Sequence, residues 1–107
     1  MASDDQGQTL ADIEAAFEES KANRLLTRHA WDAAKGSYHM KLVARRESGE
    51  TLTVSDIKAM EACAINDVPE VREAYLAFVE ADSKYRSSKV TYEAAVRNYW
   101  DGRAVRK

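Results

Sequence analysis

The sequence predicts an all-α fold, an antiparallel hairpin of two long helices with a short helix near the bend, assembling into a helical bundle. Three observations predict it. No proline falls inside two long stretches rich in Ala, Leu, Glu, Lys and Arg, all good helix formers; the chain has 1 Pro and 4 Gly in 107 residues. Large side chains recur every seventh position in both stretches. Charge comes in blocks: residues 1–20 carry −6, 21–46 carry +6, 47–82 carry −7 and 83–107 carry +5.

Composition narrows the class further. With 45% apolar and 32% charged residues the chain is neither a disordered tail nor a collagen, and its length suits one small domain. No run approaches the roughly 18 apolar residues of a membrane span. The acidic start is wrong for a signal peptide. Cys63 stands alone and cannot form an internal disulfide, so a reducing cytoplasmic setting is expected.

The elements follow in order. Residues 1–8 read as a disordered polar tail, and residues 9–102 as a single hairpin domain. Thr9 and Asp12 have capping-box spacing and open a helix from Leu10 to about Glu47. At about 1.5 Å per residue this helix is about 57 Å long, too long to stand alone. Gly36 lies within it and marks a close helix crossing, a kink or a tolerated local weakness. Ser48-Gly49-Glu50 ends the helix, with Gly49 free to take positive φ. Thr53 and Asp56 repeat the capping box and open a short helix to about Ile65. Asn66-Asp67 stops it. Asp67 and Glu70 form a third box with Pro69 in the first turn, and the last helix runs to about Trp100, ending at Asp101-Gly102. Residues 103–107 form a basic tail. No strand alternation persists.

The last helix has the clearest pattern. Val71, Phe78, Tyr85, Tyr92 and Tyr99 form one row, with the small residues Ala74, Ala81, Ser88, Ala95 and Gly102 three positions on. The first helix answers with Leu10, Phe17, Arg24, Trp31, Tyr38 and Arg45 beside Ile13, Ser20, Thr27 and Ala34. Large rows beside small ones make a seam for close helix packing. The charge blocks orient it, because antiparallel pairing sets acid against base where parallel pairing sets like on like. With Glu47 placed opposite Pro69, Phe17 meets Tyr99, Trp31 meets Tyr85 and Tyr38 meets Phe78.

The first helix is apolar beyond that seam. Leu25, Leu26, Ala30, Ala33, Met40 and Val43 widen its apolar arc past what one partner helix covers. Val54, Ile57, Met60 and Ile65 of the short helix cover part. The remainder predicts a homo-oligomer, most simply a two-fold dimer.

Little in the sequence carries catalysis. His29 and His39 point in different directions and cannot share a metal, and Asp32 lies one turn from His29. No metal, phosphate-loop or nucleophile motif occurs. Cys63, in an apolar stretch, reads as a small buried hydrophobe. No catalytic residue, cofactor or metal is expected. One stripe stands above background: Lys21, Arg24, Arg28, Lys35, His39 and Arg46 share an arc edged by Trp31 and Tyr38. Arg97, Trp100, Arg103, Arg106 and Lys107 repeat the cation-aromatic combination. Such sets suit single-stranded nucleic acid or a phosphate ligand. The same cations also suit pairing with Glu70, Glu73, Glu80 and Asp82, with Arg24 stacked on Tyr92. A pI near 5.7 favours that packing role over nucleic acid. The sequence therefore predicts a non-enzymatic, self-associating interaction module of the adaptor, assembly-factor or inhibitor type. Its partners are a second copy and another protein, and no membrane is involved. Nucleic-acid or phosphate-ligand binding through the stripe is the alternative. An enzyme with a site between subunits and a histidine base ranks third.

Overall fold

The computed structural model describes the backbone of residues 9–105 and the side chains of residues 9–102. The expected tail at residues 1–8 lies outside the described residues. The chain is a helical hairpin: α1 (Leu10–Glu47), α2 (Val54–Ala62), α3 (Ala64–Asp67) and α4 (Pro69–Val105), with no strand among the described residues. No helix is long and apolar enough to cross a membrane among them.

Local chemistry explains the helix ends. At the start of α1 the Thr9 hydroxyl accepts from Asp12 N–H at 3.1 Å, and the Asp12 carboxylate accepts from Thr9 N–H at 3.3 Å. The same reciprocal pair opens α2, between Thr53 and Asp56, at 3.0 and 2.9 Å. α1 is continuous through Asn23 and Gly36. It ends where Gly49 turns to φ 106°. There Glu50 N–H donates to Arg45 C=O and Gly49 N–H to Arg46 C=O, both at 3.2 Å, the paired bonds of a Schellman ending.

Three boundaries differ from expectation. The short helix is divided at Cys63 into α2 and α3, and α3 extends through Asp67. The third capping box does not form, because Val68 takes the cap position and its carbonyl accepts from Arg72 N–H. Asp67 therefore comes one residue too early, although Pro69 does occupy the first helical position. α4 runs past Gly102 to Val105, since glycine weakens a helix without forbidding it.

The packing divides into two compact units. One comprises residues 9–24 and 81–105 among those described. Phe17 stacks on Tyr92 with ring centres 4.9 Å apart and on Tyr85 at 5.7 Å. Tyr92 Oη donates to Glu14 Oε2 at 3.3 Å, and Ala81 is buried.

The other unit comprises residues 25–80. Trp31 meets Tyr75 edge-on at 4.9 Å and stacks on Phe78 at 5.4 Å. Leu42, Ile57, Ala64 and Val71 are its buried side chains. α2 packs back toward α1, where His39 Nδ1 lies 2.9 Å from Glu61 Oε1.

The seam matches the expected rows. From Leu10 to Tyr38 the least exposed positions of α1 are Leu10, Ile13, Phe17, Ser20, Arg24, Thr27, Trp31, Ala34 and Tyr38. Its register does not match. Phe17 meets Tyr92 instead of Tyr99, and Trp31 meets Phe78 instead of Tyr85, a slip of one heptad in both units. A seven-residue repeat matches itself when shifted by one heptad, so the pattern alone does not choose between these registers. Tyr38, expected beside Phe78, instead lines a cleft with Lys35, Glu61 and Ala64.

Candidate interaction faces

The basic stripe of α1 is built in two parts. In the unit of residues 9–24 and 81–105, Arg24 Nε donates to Asp82 Oδ1 at 2.6 Å. Its guanidinium also lies 5.1 Å from the Tyr85 ring centre, one heptad from the expected Tyr92. Arg86 reaches the other oxygen of Asp82 at 2.9 Å. The hydrogen bond from Arg24, reinforced by both positive charges, holds the Asp82 carboxyl below its ordinary pKa. Lys21 pairs with Glu18 of its own helix at 3.3 Å and lies over Phe17.

In the unit of residues 25–80, the cations gather around Asp32 and Trp31. Lys35 lies 3.2 Å and Arg28 3.4 Å from Asp32 Oδ1. The hydrogen bond from Lys35 leads the causes that lower the Asp32 pKa. Lys35 Nζ stands 4.1 Å from the Trp31 ring centre, and Arg28 lies over both Trp31 and Phe78. Trp31 Nε1 is buried and finds no protein acceptor. His39 pairs with Glu61, and Arg46 is exposed in the last turn of α1. The stripe is thus largely neutralised by neighbouring carboxylates and spread over aromatic faces.

At the other end of the chain, Arg97 is exposed and Trp100 is 60% exposed, meeting Tyr99 edge-on at 5.4 Å. Tyr99 itself is 43% exposed, a consequence of the slipped register. The Arg103 side chain, Arg106 and Lys107 lie outside the described residues.

Other candidates carry less. The cleft lined by Lys35, Tyr38, Glu61 and Ala64 measures about 40 Å³, far below the roughly 300 Å³ where ligand pockets begin. Among the described residues no group of three or more His, Cys, Asp or Glu could hold a metal. Cys63 is exposed rather than buried, because it stands at the break between α2 and α3.

A second face of α1 is apolar and open. In the unit of residues 25–80, Leu25, Leu26 and Met40 are 57%, 67% and 65% exposed. At about 100° per residue they share a face with His29, Ala30, Ala33 and Gly36, on the opposite side of the helix from Trp31 and Tyr38. A Cβ built at Gly36 would meet nothing within 4 Å. The sequence signalled this face through the width of the apolar arc. Compared with protein-family models, with curated proteins and with solved structures, the chain matches none.

Proposed function

We propose that this protein is a non-enzymatic helical interaction module that self-associates and presents a helical face to a protein partner, as an adaptor, assembly factor or inhibitor does. One observation carries the reading: α1 keeps an open apolar face opposite its packed seam. Leu25, Leu26 and Met40 are each more than half exposed there. Clustered exposed apolar side chains of this kind are costly in water and mark association sites. The thin interior agrees, since Leu42, Ile57, Ala64, Val71 and Ala81 are the buried hydrophobic side chains among the described residues. A lone exposed Cys63 suits a reducing, cytoplasmic compartment.

Binding of nucleic acid or a phosphate ligand through the basic stripe has less support. That reading requires cations turned to solvent, whereas Arg24 is bonded to Asp82 and Arg28 and Lys35 share Asp32. Native mass spectrometry of the purified protein at low salt tests both readings. A dimer or higher species without adduct is the expected result. A bare monomer at every concentration removes self-association, and a co-purifying nucleotide or oligonucleotide mass moves the function to the stripe.

A further inference from the structure

We infer that the C-terminal end of α4 binds single-stranded nucleic acid, with a base stacked on Trp100 and phosphates on Lys89 and Arg97. The inference goes beyond the self-association reading and does not depend on it. It stands on a contrast between the two cation-aromatic sets. On α1, Arg24 is bonded to Asp82, Arg28 and Lys35 share Asp32, and Trp31 packs on Tyr75 and Phe78. Those groups are already taken up by the protein itself. On α4, Lys89 and Arg97 are exposed, and among the described residues neither is held by a carboxylate. Tyr99 and Trp100 are the exposed rings among the Phe, Tyr and Trp side chains, and every other one is partly buried. Base stacking needs an accessible ring, and phosphate pairing needs cations that are not already neutralised.

The whole set lies within residues 81–105, in one compact unit. At about 100° per residue Lys89, Arg97 and Trp100 fall within an arc of about 80° along one side of the helix. From Lys89 to Trp100 the rise is about 16 Å, the reach of a few nucleotides. Glu93 lies in the same arc and Asp101 follows Trp100, so the arc is not uniformly basic. The local balance is nevertheless positive, because residues 83–107 carry +5. At physiological salt, charges beyond about 8 Å are largely screened, so this local excess outweighs the acidic pI of the chain. A ring that stacks on a base requires that base to be unpaired, which selects a single strand over a duplex. Few phosphate contacts make a weak, salt-sensitive complex, so no adduct is expected to survive purification.

The test is fluorescence anisotropy of a labelled oligothymidylate of roughly 12 nucleotides, titrated with the full chain at low salt. Circular dichroism verifies the helicity of each variant. The wild type is expected to bind, with affinity falling as salt rises. Trp100→Ala is expected to weaken binding at least fivefold. Arg97→Ala is expected to weaken it and to reduce the slope of log affinity against log salt by about 0.7. In Trp31→Phe, where Trp100 is the remaining tryptophan, the oligonucleotide is expected to quench the emission. Arg28→Gln combined with Lys35→Gln on α1 is expected to change affinity by less than twofold. An unchanged anisotropy at low salt overturns the inference. So does binding that Trp100→Ala leaves intact, or that polyglutamate displaces as readily as unlabelled oligothymidylate, since either makes the site a plain polyanion contact suited to an acidic protein. Binding lost in the α1 double variant instead overturns it in favour of the stripe. None of these outcomes bears on oligomeric state, so self-association stands or falls separately.

Discussion

Trp31 and Arg24 show how single residues in the seam combine apolar and charged roles. The Trp31 ring packs on Tyr75 and Phe78, yet its indole N–H is buried without a protein acceptor. An unmet buried donor costs about 1–3 kcal/mol, so Trp31→Phe removes a cost together with some contact area. It is expected to change stability by less than about 1 kcal/mol, whereas Trp31→Ala loses about 3 kcal/mol through lost packing, both read by urea denaturation. Arg24 stands in a row of otherwise large apolar and aromatic side chains because its stem and guanidinium cover Tyr85 while its charge meets Asp82. Asp82 has a pKa lowered in the folded state. Its contribution to stability is full above the unfolded value near 4 and is lost as pH falls through the lower folded value. The expected result is a Tm that declines below about pH 4 in the wild type and less steeply in Asp82→Asn. Equal acid sensitivity of the two proteins would count against the pair. The Arg24–Asp82 pair was foreseen as one of four acidic choices, but the aromatic partner was misplaced by a heptad, because spacing alone does not say which turn of α4 lies opposite.

At the scale of the elements, the ends were more legible than the middle. Thr9, Thr53 and Gly49 act through short-range bonds within four or five residues, so their local sequence is enough to specify them. Thr53→Ala is expected to cost about 1 kcal/mol by removing the cap of α2. Gly49→Ala forces a side chain into positive φ and is expected to cost a similar amount, about 1 kcal/mol, with thermal denaturation as the measurement. Asp67 failed as a cap because the chain makes one more helical residue than its local sequence implied, leaving Val68 at the boundary. Cys63 is a comparable case. Its apolar neighbours suggested burial, but it falls at the break between two short helices and stands exposed.

For the molecule as a whole, few apolar side chains are buried among the described residues, two of them the alanines Ala64 and Ala81, while Leu25, Leu26 and Met40 of α1 are each more than half exposed. Stability is therefore expected to depend on association. Mass action makes the Tm of an associating protein rise with its concentration. The Tm of the wild type is expected to fall by several degrees over a hundredfold dilution. A flat wild-type profile would show that the hairpin is stable on its own.

The sequence by itself determined the two long helices, the helix ends at Thr9, Thr53 and Gly49, the seam rows and the antiparallel direction. Each of these follows from local bonding, from the seven-residue repeat or from the order of the charge blocks. Only the tertiary structure decided the register. A heptad pattern superimposes on itself when shifted by seven residues, so Phe17 fits Tyr99 and Tyr92 equally well on pattern alone. The tertiary contacts make the choice: Phe17 stacks on Tyr92 and Trp31 on Phe78, while His39 pairs with Glu61 of α2. In this register Tyr99 is left half exposed, and Leu26 and Met40 stay exposed on the side of α1 away from Trp31.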